Sequence, residues 1–153
     1  MSLEEKLSSL HLQLPVAPAS KGIYKKCVAA GTLLYVSGHV SIRSDGSFIT
    51  GKLGKDLSDE EGVAAARQCG LAILGSIKEV VGSLDKIKRV IKILGMVNST
   101  PDYEKHPIII NGCSELFVQL LGDENGKGAR SAVGMGSLPG NVAVEIEAIF
   151  ELQ

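Results

Sequence analysis

Arg130 stands in the stretch Gly128-Ala129-Arg130-Ser131-Ala132-Val133-Gly134, among small and aliphatic residues with no acid beside it. A guanidinium in that setting pairs with a carboxylate elsewhere in the chain, stays hydrated at a strand end, or meets an anion brought from outside. Asp123 and Glu124 are the acids close enough in sequence for the first option. The third option has a definite chemistry: two parallel N–H donors in one plane match the two oxygens of a carboxylate, a fit that lysine does not reproduce. Further along, Glu145 and Glu147 alternate with apolar residues in Val144-Glu145-Ile146-Glu147-Ala148, so both project from one face of a strand. That face is solvated, salt-bridged to another chain, or part of a site. A carboxyl partly buried in a cleft has its pKa raised and can exchange protons near neutral pH.

Other chemistries lack their residues. Gly70 and Gly75 have the spacing of a phosphate loop, but Ser76 follows where such a loop needs lysine. His11, His39 and His106 are scattered, without zinc-ligand spacing, and no metal or organic cofactor is expected. No nucleophile-elbow sequence occurs. Cys27, Cys69 and Cys113 are odd in number and widely spaced, which fits reduced thiols rather than a disulfide framework. Cys113 reads as a small buried residue rather than a nucleophile.

The elements that must position these residues follow from periodicity and punctuation. Ser2 to Leu10 suits a short helix, and Pro15 and Pro18 make the next segment an extended connector. Strands are expected at about Lys25–Ala30 and Leu33–Ser37, joined at Gly31-Thr32. Ser58 to Glu61 is a capping-box pattern opening a helix with apolar positions Val63, Ala66, Gly70, Ile73, Ile77 and Val80, stopped by Gly82. The β-branched run from Ile87 to Val97 predicts a strand, with a bulge near Gly95. A second helix is expected over Pro107–Leu121, then strands at Arg130–Ser137 and Val142–Leu152 around a Pro139-Gly140 turn. A further short strand before the first long helix is also compatible with the pattern. The result is an α+β architecture, a single sheet with two helices on one face. Its other face still carries apolar residues and is expected to be buried in an oligomer.

The C-terminal segment "ARSAVGMGSLPGNVAVEIEAI" resembles the signature of the Rid/YjgF family of imine deaminases: Ala-Arg-Ser, a short strand, Leu-Pro and a closing Glu-Ile-Glu-Ala-Ile. "LLYVSGHVS" is similar to the early hydrophobic-Ser-Gly-Gln segment of that family, and the resemblance runs from about Pro18 to Glu151. The length, the N-terminal extension and "INGCSELF" resemble a longer subgroup. The resemblance implies a chorismate-mutase-like (ferredoxin-like) fold, a homotrimer, a cleft between subunits, and cofactor-free hydrolysis of enamines and imines derived from amino acids, such as 2-aminoacrylate. It implies that Arg130 clamps the substrate carboxylate, that Glu145 orients a water or shuttles a proton, and that Tyr24, Ser37, Gly38 and Asn111 line the cleft. Each of the last group has a bland alternative: Asn111 as a polar helix face, Tyr24 as a cover for the sheet, Ser37 as a strand-end hydroxyl. His39 stands where relatives often have Gln and reads as structural. The chain departs from the family at Ala132 (often Cys), Gly134 (often Glu) and Gly128 (often Pro). Those departures keep a second reading open, a non-catalytic small-carboxylate-binding or regulatory trimer.

Composition bounds the remaining classes. The 153 residues suit one domain, expected at residues 18–153 after an extension at 1–17. With 4% aromatics, no Trp and a formal net charge of -1, and a pI near 6.3, the chain has neither the field nor the stacking rings of a nucleic-acid binder. Members of the family have also been labelled endoribonucleases, and Lys86, Lys88, Arg89 and Lys92 are the cations that would serve such a role; alternation splits them between strand faces. No apolar run approaches the roughly 18 residues of a membrane span, and the N-terminus has acidic residues where a signal peptide needs basic ones. A cytoplasmic location is expected.

Overall fold

Alternation of apolar residues writes the sheet. In the computed structural model, which describes residues 1–16 and 18–153, Val144, Ile146, Ala148 and Phe150 of β5 (Val144–Leu152) are buried while Glu147 is exposed. One face of the strand therefore packs and the other stays bare. The other strands are β1 (Cys27–Ala30), β2 (Leu33–Val40), β3 (Ile87–Asn98) and β4 (Ala129–Met135), and the sheet order is β1-β2-β5-β3-β4. β4 runs parallel to β3, and the remaining pairs are antiparallel. β4 and β5, on either side of the Pro139-Gly140 turn, are thus not partners; β3 lies between them.

Three helices accompany the sheet: α1 (Leu3–Ser9), α2 (Asp59–Val81) and α3 (His106–Gly126). The Ser58 hydroxyl accepts from the Glu61 amide to open α2, and Gly82, at φ 92°, closes it in the left-handed region. The regular turns of α3 give way at Gly122, where φ is 84°. As a parallel pair requires, α3 is the crossover that carries the chain from β3 to β4. Both long helices cover the same face, where Ile73, Ile77, Ile93, Ile110, Phe117 and Phe150 form the centre of the core. Phe117 and Phe150 meet edge to face with centroids 5.4 Å apart, which adds about 1 kcal/mol to their burial.

The bulge expected near Gly95 is elsewhere. Register slips occur between Ile87 and Arg89 and between Val90 and Lys92, whereas Gly95 pairs regularly with Ile146 and Ala132. What Gly95 provides is close approach: an added Cβ would lie 2.5 Å from Ile110 Cδ1, so its absence lets α3 sit directly on β3. The further short strand before α2 resolves into isolated bridges, Ile42 to Phe48 and Thr50 to Val142.

α1 is held by Ser2 at its N-cap, by Leu3 and Leu7 in the core, and by Lys6 Nζ donating to the Leu120 carbonyl at 2.9 Å. The boundary expected at residue 17 falls on the residue outside the described set. Among the described residues, no helix is long and apolar enough to cross a membrane.

Candidate functional site

Arg130 lies on β4, at one edge of the sheet, beside buried Ile93 of β3. That register turns its side chain toward α3. Its Nη1 donates to Asn111 Oδ1 at 2.7 Å and to Ser114 Oγ at 3.1 Å, and its Nη2 reaches the Pro107 carbonyl at 3.4 Å. Asn111 and Ser114 are three residues apart on α3, one turn above the other. All three acceptors are neutral. Among the described residues, no carboxylate lies within 4.0 Å of the guanidinium, and Asp123 is paired instead with Lys127. Arg130 is half-buried and borders a pocket of about 220 Å³ with Ile93, Ser114 and Lys127.

Glu145 faces the other way. It pairs with Val40 on β2 and Met96 on β3, and strict alternation with buried Val144 and Ile146 puts its side chain on the bare face. Burial first, and the charge of Glu147 second, push its carboxyl above the ordinary value of 4.5. Gly38 lies directly against it: any Cβ there would collide with the Glu145 carboxylate. Ser37 and Gly38 occupy a register slip between the Val36–Ala148 and His39–Ile146 pairs. The Ser37 hydroxyl donates to the Lys25 carbonyl at 2.6 Å, and Ser37, Tyr35, Lys92 and Glu147 border a cavity of about 450 Å³ on the bare face. Tyr24 is exposed and shares a pocket of about 100 Å³ with Lys26 and Gly38.

The expected residues therefore form two groups. Arg130 and Asn111 touch at the β4 edge under α3; Gly38 and Glu145 touch on the bare face with Ser37 alongside, while Tyr24 borders Gly38 through a pocket whose wall also includes Ala72 of α2. Within one protomer the two groups sit on opposite sides of the sheet. His39 braces the second group from behind: its Nδ1 bonds the Ser37 carbonyl at 2.6 Å and its Nε2 the Ser76 hydroxyl at 2.7 Å. Since a carbonyl only accepts, Nδ1 carries the proton. Cys113 is buried and its thiol is pushed up to about 12, chiefly by burial, so it is inert.

Some contacts were not legible in the sequence. Ser114 and the Pro107 carbonyl complete the Arg130 cradle; the Asn111–Ser114 spacing was a usable signal for the first. Ala132 packs against the core, and the space above Gly134 is filled by His106, whose Nε2 would lie 2.5 Å from an added Cβ. His106 also meets Ser99 Oγ at 3.3 Å. No local pattern announces that filling, because the three residues come from separate segments.

Comparison with known proteins adds four findings. The family model described as "YjgF/chorismate mutase-like, putative endoribonuclease" matches residues 4–151. Protein TCP17 of Trypanosoma cruzi is 40% identical over 146 residues, spanning 95% of this chain and 91% of that protein. Among solved structures, Atu1372 of Agrobacterium tumefaciens, of unknown function, is 41% identical with a TM-score of 0.90 over 99% of this chain and 92% of that one. RidA of an Antarctic Psychrobacter is 27% identical with a TM-score of 0.60 over 92% and 97%.

Proposed function

Because the chain belongs to the YjgF/chorismate-mutase-like family, we propose that it hydrolyses enamine and imine intermediates derived from amino acids, of the 2-aminoacrylate type, in a cleft between subunits of a homotrimer. The observation that carries this reading is the half-buried guanidinium of Arg130, fixed by Asn111, Ser114 and Pro107 and met by no carboxylate among the described residues. A cation oriented by neutral acceptors is prepared for an anion from outside. The separation of Arg130 from Glu145 supports a composite site, in which one subunit supplies the arginine and its neighbour the glutamate, Gly38, Ser37 and Tyr24.

In that cleft Arg130 holds the carboxylate of a 2-imino acid. Water adds to the imine carbon, and the C–N bond becomes single. Glu145, with its raised proton affinity, takes a proton from the attacking water and returns it to nitrogen. Glu145 then carries the hydroxyl proton to the amine as the C–O bond becomes double and the C–N bond breaks, so ammonia leaves and the 2-keto acid remains. Positioning supplies most of the acceleration, because such imines hydrolyse readily unaided. Buried, unpaired thiols at Cys27, Cys69 and Cys113 suit a reducing, cytoplasmic setting for this chemistry.

The test is release of ammonia and keto acid from enzymatically generated iminopyruvate. Wild-type protein accelerates release, and Arg130→Ala does not. Equal acceleration by both removes the proposal. The filled space above Gly134 favours a second reading, a small-carboxylate-binding trimer without turnover. Binding of 2-keto acids, with iminopyruvate decaying at its unaided rate, would select that reading.

A further inference from the structure

Among the described residues Lys52 is another half-buried cation that meets no carboxylate, and its cavity shares no lining residue with the Arg130 pocket. Lys52 Nζ donates to Asn98 Oδ1 at 2.8 Å and to the Gly136 carbonyl at 2.7 Å. Asn98 is fully buried and is itself fixed by its Nδ2, which donates to Gly51 O, Asn141 Oδ1 and Val142 O. The ammonium is thus held in place by a buried network, yet both its acceptors are neutral and one of its three donors is uncommitted. The cavity in front of it measures about 740 Å³, and its wall includes Lys55, Ser99, Tyr103 and His106.

The charge balance of this wall is one-sided. Lys52 and Lys55 are the charged side chains among the described lining residues. Of the acids nearby in sequence, Asp56 accepts from the Lys52 amide at 2.9 Å and Asp59 is bound by Tyr103 Oη and Lys105 Nζ, while Asp102 and Glu104 flank Tyr103 without lining the cavity. That engagement holds the Asp59 carboxyl below its ordinary range, with the Tyr103 hydrogen bond as the first cause.

We infer that this cavity binds the phosphate group of a small phosphate monoester. The two ammonium groups suit an oxyanion of charge near -2 with three acceptor oxygens, and the Ser99–His106 pair adds a polar wall beside them. A carboxylate would need fewer donors. The volume lies within the range of ordinary ligand pockets and far exceeds one phosphate group, so an organic body attached to the phosphate fits as well, against the ring of Tyr103. The inference is independent of the imine reaction.

Titration calorimetry with glycerol 3-phosphate and with inorganic phosphate, at pH 7.5 and low salt, tests it. The monoester binds; Lys52→Met weakens it by about tenfold or more, as expected for loss of a charge-assisted hydrogen bond. Because Lys52 also ties Asn98 to Gly136, Lys55→Glu serves as a second variant at an exposed position with no side-chain bonds among the described residues, and it weakens binding too. Arg130→Ala leaves the affinity unchanged. Absence of monoester binding, or loss of binding in Arg130→Ala with retention in Lys55→Glu, overturns the site. Equal affinity for inorganic phosphate overturns the organic body.

Discussion

Subunit mixing tests the composite site directly. Arg130→Ala removes the fork, and Glu145→Gln removes the proton carrier, so each protein alone has one lesion in every cleft. The size of the first lesion follows from the geometry. Two charge-assisted hydrogen bonds to a carboxylate contribute about 1.5–3 kcal/mol each. Losing both lowers turnover at limiting substrate by about a hundredfold or more. Coexpression in equal amounts changes the outcome. In the proposed cyclic trimer each cleft would draw Arg130 from one subunit and Glu145 from the next. A cleft is intact when its arginine comes from a Glu145→Gln subunit and its glutamate from an Arg130→Ala subunit. Every mixed trimer, of either composition, has one such cleft in three, so about a third of wild-type iminopyruvate turnover returns in the mixed species. Differently tagged subunits, purified in tandem, establish that the species assayed is mixed. If turnover in that mixed species stays at the background of the single variants, arginine and glutamate act within one chain and the composite site is wrong.

Two further outcomes follow from buried titratable groups. Burial and Glu147 raise the Glu145 carboxyl, so the folded state binds protons more tightly than the unfolded one and stability falls as pH rises from the ordinary value of 4.5 through the folded value. Glu145→Gln therefore raises the melting temperature at pH 7 by roughly 1–3 °C while removing turnover, and a lower melting temperature at pH 7 with no change at pH 4 contradicts this. Burial, aided by the charge of Lys26, pushes His39 below its ordinary 6.5; the unfolded state then binds the extra proton, so stability present above pH 6.5 is lost as pH falls below it. Wild-type protein is expected to lose thermal stability more steeply than His39→Gln between pH 7.5 and 5.5, and parallel melting curves refute the assignment.

Strands and long helices were readable because their signals are local. Ser58 and Gly82 mark the two ends of α2 by hydrogen bonding and backbone geometry alone, and alternation at Val144 to Phe150 specifies which side of β5 packs. The position of β4 was not readable. Nothing in Ala129–Met135 says that it pairs with β3 in parallel rather than with β5 across the Pro139-Gly140 turn; that choice belongs to α3, which carries the chain over the sheet. The same limit applies to the site. The acid-free surroundings of Arg130 were visible in sequence; its contact with Asn111, which joins β4 to α3, was not. The bracing of Ser37 by His39 and Ser76 joins β2 to α2, and the Lys52 cradle joins a loop to buried Asn98 and to Gly136. Contacts between segments so far apart leave no periodic trace.

The two groups on the sheet also differ in what each lacks. Arg130 is a half-buried cation resting on neutral oxygens, and Glu145 is a half-buried carboxyl next to another acid. Each would be relieved by opposite charge, since partial burial strengthens attraction as it weakens hydration. They cannot relieve one another inside a protomer, because the sheet lies between them and its interior face is filled by Ile93, Ile146 and Ala148. Nor, among the described residues, has the fold placed another acid by the arginine: Asp123 is held by Lys127, and Glu151 is drawn onto Lys88 and Arg89 at the opposite end of β5. Lys88 and Arg89, two of the cations that could have served RNA, are engaged by the same contact. A bare sheet face carrying exposed Val28, Tyr35 and Val133 supplies apolar area for a second copy, and an unpaired strand edge at β4 supplies hydrogen-bonding groups. An acid small enough to enter between copies would then find a positive fork on one wall and a proton carrier on the other.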